Sequence, residues 1–294
     1  MELGALVRRR SVYGSALGVR AYRLLRRGAE RVGLQVVART FYSPIPELAA
    51  LPAGTFERRS ELAGLDFDLD GQLRWLRTEL AQPLAAATPA NAPGAASYPV
   101  VDATILWCLL RRLRPRHVVE LGSGASTRVT AAALAENARD GAPAELDVYD
   151  PYPGPGLPPA TRLHRVRAQD VPRDAFARLG AGDVLFVDTT HTVKLGSDVN
   201  FVVLEVLPRL APGVIVHFHD IFLPYEYPRG WAEDYGLYWT EQYLLQAFLS
   251  LNPHYEVLVA LAAVGRDRRA ELDALLPAHA RGGQGGAFWI RRRP

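Results

Sequence analysis

A buried strand, a glycine turn and the start of a helix follow one another in Val118-Val119-Glu120-Leu121-Gly122-Ser123-Gly124-Ala125-Ser126-Thr127. Glycines at the end of such a strand let the backbone turn sharply and approach a ligand closely. The following helix, predicted at residues 128–137, points its N-terminal amides at the same place. A dinucleotide fingerprint needs a third glycine where Thr127 stands, so the turn by itself does not identify the ligand.

Apolar runs alternate with helical patterns from residue 117 onwards. Strands are predicted at residues 117–121, 145–150, 163–168, 183–188, 213–219, 255–262 and 287–291. Helices are predicted between them at residues 128–137, 173–179, 197–210, 240–251 and 268–276. Strands separated by helices favour a parallel sheet with helices on both faces. The predicted fold is therefore a Rossmann-like α/β domain with a seven-stranded, mostly parallel sheet.

A helical extension is predicted before this domain. Apolar residues alternate there with arginines at positions 8, 9, 10, 20, 23, 26, 27 and 31. This pattern is typical of a basic amphipathic helix, which can pack on its own domain, pair with a second subunit or lie on an anionic membrane. A second helix is predicted at residues 69–84 and a linker rich in Ala, Pro, Asn and Gly at 85–96. We predict an extension and linker over residues 1–96 and a ligand-binding domain over residues 97–294.

The composition bounds the class of protein. The chain has 294 residues, of which 49% are hydrophobic and 22% charged, as in globular proteins with a large core. A net charge of +3 and scattered arginines, with Lys194 the only lysine, indicate the GC-rich coding of a bacterial gene and no nucleic-acid-binding motif. The single cysteine, Cys108, predicts a buried thiol and a cytoplasmic protein without internal disulfides. The sequence has no apolar run long enough for a transmembrane helix.

Polar residues follow the predicted strands at the edge where a parallel α/β sheet binds its ligand. Asp150 closes the second strand, where a carboxylate can hold the hydroxyls of a ribose, although Asp-Pro is equally typical of a turn. Gln169-Asp170 follow the third strand, where an adenine edge can be recognised. Strand four ends in Asp188-Thr189-Thr190-His191, and strand five in His217-Phe218-His219-Asp220.

The histidines and aspartates of strands four and five allow two kinds of chemistry. His217, deeper in its strand, is expected to be a hydrogen-bonded core residue. His219 is the better candidate for a catalytic base, with His191 second. Asp188, His219 and Asp220 are also candidate ligands for a divalent cation. The base and the metal site remain open alternatives on this pattern.

The whole series of motifs resembles the class I S-adenosylmethionine-dependent methyltransferases, from about residue 98 onwards. Glu120-Leu121-Gly122-Ser123-Gly124 is similar to their first motif, and Asp150 and Asp188 to the acids that close strands two and four. The resemblance implies that Glu120 holds the methionine amino end of S-adenosylmethionine and that Asp150 holds its ribose. It implies a cofactor site made of Glu120, Gly122, Gly124, Ser126, Asp150, Gln169, Asp170 and Asp188.

More narrowly, strands four and five resemble a branch with Asp-x-x-His after strand four and His-Asp after strand five. In related enzymes that use a metal, acids at these two strand ends hold magnesium beside the acceptor oxygen. Here His219 stands beside Asp220 where some of them have a second acid, which favours a base or a softer ion. Magnesium, manganese and iron are therefore the candidate ions at Asp188, His219 and Asp220.

An aromatic loop follows Asp220, with seven aromatic residues within 18 positions: Phe222, Tyr225, Tyr227, Trp231, Tyr235, Tyr238 and Trp239. Loops of this kind are often lids or substrate walls, and a satellite core or a dimer contact is the alternative. Phe41-Tyr42-Ser43-Pro44 is a candidate for a second wall.

These observations predict a methyltransferase that acts on an oxygen or nitrogen of a small molecule or sugar, in secondary or polysaccharide metabolism. His219 is the expected base, with Asp220 and Asp188 orienting it or holding a cation. One alternative keeps the fold but changes the chemistry to an oxygenase, in which His219, Asp220 and His191 bind iron. A non-enzymatic alternative is a basic adaptor that uses the N-terminal arginines to bind a membrane or nucleic acid.

Overall fold

The computed structural model describes residues 16–38 and 43–294, in two compact units that divide between Ala53 and Gly54. The first unit contains the helix Ala16–Glu30, which carries four of the predicted arginines. Arg8, Arg9, Arg10, Phe41 and Tyr42 lie outside the described residues. Across the described ranges, every helix falls short of the length and apolarity that crossing a bilayer requires.

Seven strands form one sheet in the second unit, in the order β3-β2-β1-β4-β5-β7-β6. They are β1 (His117–Leu121), β2 (Glu145–Tyr149), β3 (Arg162–His164), β4 (Val184–Val187), β5 (Ile215–Phe218), β6 (Tyr255–Ala260) and β7 (Phe288–Arg292). Strands β1 to β5 run parallel to one another, while β7 is antiparallel to both of its neighbours, β5 and β6. The predicted Rossmann-like, mostly parallel sheet is confirmed.

Helices cover both faces of this sheet. Alternate residues of a strand point to opposite faces, and Val118 and Val119 of β1 accordingly belong to two different hydrophobic clusters. Cys108 is buried in the first cluster, as predicted. The α-helices of the second unit are Leu69–Glu79, Ala81–Ala86, Val100–Leu113, Ala125–Arg139, Asp174–Ala177, Asp198–Phe201, Arg229–Glu233, Glu241–Leu249, Leu261–Asp267 and Arg269–Leu275.

Several segments differ from the sequence prediction. The helix predicted at residues 69–84 is two helices, Leu69–Glu79 and Ala81–Ala86, and the strand predicted at 163–168 spans only Arg162–His164. The single helix predicted at residues 197–210 is Asp198–Phe201 followed by a π-helical turn, Val202–Val206, and a 3₁₀ turn, Leu207–Arg209. Pro208 has no N–H to donate, which interrupts regular α-helix at this point. The helix Leu261–Asp267 begins directly after β6, where the sequence predicts strand as far as residue 262 and no element between there and residue 268. Its apolar residues fit the period of a helix as well as that of a strand, and so short an apolar run does not discriminate between helix and strand.

The chain before residue 97 contributes to the core of the second unit. Gln72, on the helix Leu69–Glu79, accepts a hydrogen bond from the Ala260 N–H of β6, at 2.9 Å. Leu73 and Leu76 of the same helix join the first hydrophobic cluster. The compact unit thus begins at Gly54. We propose that the ligand-binding domain within it still begins near residue 97.

Candidate active site

The glycine turn after β1 is required by the chain itself. Gly122 has a φ of +88°, and a Cβ there would collide with the carbonyl oxygen of Asp188. The Asp188 N–H donates to the Leu121 carbonyl at 3.0 Å, so the ends of β1 and β4 touch at this point. A Cβ on Gly124, by contrast, would meet nothing within 4 Å. Gly122 therefore lets β4 approach β1, whereas Gly124 presents bare backbone to open space.

Glu120 lies fully buried beneath the turn. Its Oε1 accepts hydrogen bonds from the hydroxyls of Ser126, at 2.7 Å, and Thr127, at 3.0 Å. Its Oε2 is buried and has no hydrogen-bond partner among the described residues. Burial raises the pKa of Glu120 to about 8. One carboxyl oxygen thus remains for a donor that the described chain does not provide.

A cleft of about 510 Å³, called the first cleft here, opens at the carboxyl ends of β1, β2 and β4. Its volume lies within the range of small-molecule sites, about 300–1,000 Å³. Four predicted cofactor residues line it, namely Gly122, Asp150, Gln169 and Asp188. The other four predicted cofactor residues do not line this cleft. Glu120 and Ser126 are buried beneath the glycine turn, and Gly124 belongs to that turn. The carboxylate of Asp170 pairs with Arg167 at 2.7 Å.

Asp150 is fixed at the edge of the first cleft. One carboxylate oxygen accepts the Ser123 hydroxyl at 2.6 Å, and the other accepts the Tyr152 N–H at 2.7 Å. The bond to Tyr152, two residues further on, is the turn contact that the Asp-Pro sequence allows. Each carboxylate oxygen has a second lone pair, so this turn leaves acceptor sites for a ligand.

Two carboxylates and an imidazole meet beside the first cleft. His191 Nε2 lies 3.2 Å from Asp188 Oδ1 and 3.9 Å from Asp220 Oδ2. One ligand atom from each of the three residues lies within 4.8 Å of the others. His191 and Asp220 have φ values of 54° and 55°, and such strained backbone concentrates at functional sites. This group contains His191, while His219, the third ligand that the sequence predicts, has its Nδ1 3.4 Å from Asp220 and 3.7 Å from Asp188.

His191 is held on all sides. Its Nδ1 lies 2.8 Å from Glu241 Oε2, and its carbonyl accepts the N–H groups of Thr240 and Glu241 at 2.9 and 3.0 Å. The ring of Trp239 packs against it with 4.2 Å between centroids. Burial favours the neutral ring, but hydrogen bonds to Asp188 and Glu241 outweigh it and raise the pKa of His191 to about 10. Without a bound cation, His191 is therefore an imidazolium at neutral pH.

His219 lies deeper, with its ring 4.8 Å from that of Tyr98. Its Nε2 lies 3.5 Å from Asp102, and its Nδ1 lies 3.4 Å from Asp220 and 3.7 Å from Asp188. Burial favours the neutral ring, but these carboxylates raise the pKa of His219 well above its usual range. None of the three contacts has hydrogen-bond geometry. We refer to Asp188, His191, His219 and Asp220 as the Asp–His cluster.

Two further carboxylates, Asp102 and Glu241, contact the histidines of the Asp–His cluster, and sequence reasoning missed both. Asp102 is fully buried in the first turn of Val100–Leu113 and accepts the N–H groups of Gly286 and Ala287 at 2.9 and 3.1 Å. Glu241 is the partner of His191 described above. The available signal for Asp102 was a carboxylate inside a strongly apolar helix, because such groups are seldom buried without a partner.

His217 is a core residue, as predicted, but it lacks the predicted hydrogen bonds. Its ring stacks on Phe186 with 4.0 Å between centroids, and Trp289 contacts it edge-on at 4.6 Å. Neither ring nitrogen has a hydrogen-bond partner within the described residues. Burial lowers the pKa of His217 well below its usual range, so the ring is neutral. Packing between aromatic rings takes the place of hydrogen bonds here.

The aromatic residues after β5 pack on one another. Trp231 contacts Phe222 and Trp239 edge-to-face, with 5.2 and 4.7 Å between ring centroids. Tyr227 is 6.1 Å from Trp239, whereas Tyr235 is 74% exposed and stands apart. The cluster has the mutual packing of a satellite core, and through Trp239 it also forms a wall against His191.

The strand order, the antiparallel β7 and the acids at the carboxyl ends of β1, β2 and β4 together define a class I methyltransferase fold. A family model described as a methyltransferase domain matches residues 119–221. This match supports a class I methyltransferase domain over these residues. No curated protein matches the chain. The matched region contains the first cleft and the Asp–His cluster, but neither Asp102 nor Glu241.

Proposed function

We propose that the protein transfers a methyl group from S-adenosylmethionine to an oxygen or nitrogen of a small molecule or sugar. The observation that best supports this proposal is that Asp188 lines the first cleft and also belongs to the Asp–His cluster. The residues present fit this cofactor, because Glu120 Oε2 lacks a partner and Gly124 presents open backbone. When bound, S-adenosylmethionine supplies a methyl group attached to a positively charged sulfur.

The residues around the first cleft then have separate binding roles. Glu120 would accept a hydrogen bond from the amino group of the cofactor, and Asp150 from the ribose hydroxyls. Gln169, whose side-chain amide donates to the Gly196 carbonyl at 3.2 Å, would lie on the adenine side. Glu120 lies on β1 and Asp150 directly follows β2, and these two neighbouring strands are parallel. This arrangement suits a ligand that extends along the strand ends.

His219 is the proposed base that removes the proton of the acceptor. Methyl transfer is an in-line displacement, so the protein must align the acceptor, exclude water and take this proton. Nδ1 of His219 faces Asp188 and Asp220, while Asp102 lies at Nε2 and positions the ring. Because the two aspartates raise the pKa of His219, neutralising their charge would free the ring to accept a proton near pH 7.

The proposal also includes a divalent cation held by Asp188, His191 and Asp220. Two carboxylates and one imidazole form a donor set suited to magnesium or manganese. When bound, such a cation would polarise the acceptor oxygen. The iron oxygenase considered from the sequence would need two imidazoles and one carboxylate. His191 is the single imidazole of the three-residue group, but His219 Nδ1 also lies 3.4 Å from Asp220, so bound iron is the observation that would identify the oxygenase.

Calorimetric titration tests this function directly. The metal-stripped protein is titrated with S-adenosylmethionine and S-adenosylhomocysteine, then again with magnesium, manganese or ferrous iron. Micromolar binding that weakens in Glu120→Gln and Asp150→Ala is the expected result. Arg77→Gln, an exposed arginine that lines neither this cleft nor the Asp–His cluster, is the control. Absence of binding under every condition would overturn the proposal, and bound iron without methyl transfer would favour the oxygenase.

A further inference from the structure

A second cleft of about 470 Å³ lies beside the glycine loop that packs against Asp102 and Asp220. Its lining comes from the segment at Phe56 and Glu57, the aromatic loop after β5, the helices Leu261–Asp267 and Arg269–Leu275, and the glycine loop before β7. We propose that this second cleft binds the methyl acceptor and that Arg266 receives an anionic group on it, a carboxylate or a phosphate. The inference rests on the methyl transfer proposed above and names the class of its substrate.

Glycine backbone at the wall of the second cleft packs against two carboxylates of the site. Gly285 lines the cleft, and a Cβ there would lie 2.5 Å from Asp102 Oδ1. A Cβ on the neighbouring Gly286 would lie 3.1 Å from Asp220 Oδ1. Phe222, also in the lining, stands two residues after Asp220. The first cleft therefore includes Asp188 of the Asp–His cluster, and the wall of the second cleft packs against Asp102 at Gly285, next to the glycine that contacts Asp220.

Two of the three arginines in the lining are already occupied. Arg229 pairs with Glu57 at 3.0 Å and with Glu233 at 2.9 Å. Arg269 donates to the Gly283 carbonyl at 2.8 Å and pairs with Asp273 at 3.4 Å. Both guanidinium groups thus have partners that hold them at the wall of the cleft.

Arg266 is different from these two. No carboxylate of the described residues pairs with it, and its guanidinium lies over the ring of Tyr225, 4.0 Å from the centroid. The Tyr225 hydroxyl donates to Asp267, and Arg59 lies near the same ring at 5.5 Å. A stacked guanidinium keeps its N–H edge free for a carboxylate or phosphate. Arg266 is therefore an oriented positive charge with unused donors.

The remaining lining suits a flat or ring-shaped body. Phe56, Phe222 and Tyr227 contribute aromatic surface to the second cleft. Phe222 and Tyr227 are held by edge-to-face contact, with 5.9 Å between their centroids. An acceptor with an aromatic or sugar ring could lie against these rings, with its hydroxyl towards Asp220 and its anionic group at Arg266.

Binding of simple probes tests the second cleft without knowledge of the natural acceptor. Phenyl phosphate, benzoate, benzyl alcohol and inorganic phosphate are titrated at constant ionic strength into protein saturated with S-adenosylhomocysteine. At least one aromatic anion should bind about tenfold or more tightly than benzyl alcohol and inorganic phosphate. The stronger of phenyl phosphate and benzoate distinguishes a phosphate from a carboxylate.

Variants of Arg266 connect that binding to the proposed residue. Arg266→Gln should weaken the aromatic anion about tenfold, and Arg266→Lys less, because lysine keeps the charge. Arg77→Gln, also an exposed helical arginine but outside the second cleft, should leave it unchanged. Unchanged affinity in Arg266→Gln would overturn the inference, and so would benzyl alcohol or inorganic phosphate binding as tightly as the aromatic anions.

A separate titration with S-adenosylhomocysteine keeps the two proposals distinguishable. If this ligand binds and the aromatic anions do not, the second cleft fails while methyl transfer stands. If the anions bind through Arg266 to protein that never binds S-adenosylhomocysteine, the proposed function fails while the anion site stands.

Discussion

The two clefts lie near the same Asp–His cluster, but their lining residues come from different parts of the sequence. Every residue that lines the first cleft lies between 122 and 198, inside the matched methyltransferase region of residues 119–221. Every residue that lines the second cleft lies outside that region, in segments near residues 56, 225, 265 and 285. The comparison shows that strand-end motifs build the first cleft, whereas distant segments that meet only in the folded protein build the second.

The largest expected effect comes from the cluster between the clefts. His219→Asn should lower the turnover number by about 10²–10⁴-fold, because it removes the proposed base. Turnover is measured with whichever acceptor reacts in a panel of hydroxylated aromatic acids and sugar phosphates. Binding of S-adenosylhomocysteine should stay near the wild-type value, since His219 does not line the first cleft. Wild-type turnover in this variant would remove His219 as the base.

A substitution of Asp102, which lies at Nε2 of His219, tests the role of the same imidazole. Asp102→Asn should lower turnover less than His219→Asn and move the pH profile to lower values, because one of the carboxylates that raise the pKa of His219 is lost. A loss of activity with an unmoved pH profile would show a merely structural role.

A second test compares the two glycines of the turn. Gly122→Ala should destabilise the fold by about 3 kcal/mol, because it combines a positive φ with a collision against the Asp188 carbonyl. Gly124→Ala should change stability by less than about 1 kcal/mol but weaken S-adenosylhomocysteine, since its methyl group would enter open space. Thermal unfolding and calorimetry measure the two effects. Equal destabilisation by both substitutions would contradict this distinction.

The same contrast explains how far the sequence predicts the molecule. All seven strands are predicted because each is a short apolar run between turn signals, and the acids at their ends follow from strand order. The helix Leu261–Asp267, and with it Arg266, is missed because its apolar residues also fit a strand. Asp102 is missed for another reason. It reaches His219 by packing of a helix that precedes β1, and no local pattern encodes that contact.

Two aspartates that both line the first cleft separate cation binding from cofactor binding. Asp188→Asn should lower the affinity for manganese by at least about tenfold, because it removes one of the two carboxylates among the three proposed ligands. Asp150→Asn should leave manganese unchanged and weaken S-adenosylhomocysteine instead. Calorimetric titrations of the metal-stripped variants measure both affinities. Equal loss of manganese in the two variants would contradict a site restricted to Asp188, His191 and Asp220.

The smallest predicted effect is a pH dependence of cofactor affinity that arises at Glu120. Burial raises the pKa of this carboxyl group to about 8, so the free protein carries its proton at pH 7. The ammonium group of the cofactor stabilises the carboxylate, so binding releases this proton. Affinity should therefore rise from pH 6 to 8, by at most about tenfold per pH unit, and level off above 8. Calorimetry in buffers of different ionisation enthalpy detects the released proton. Glu120→Gln has no proton to lose and should abolish the dependence, whereas an unchanged slope in this variant would place the titrating group elsewhere.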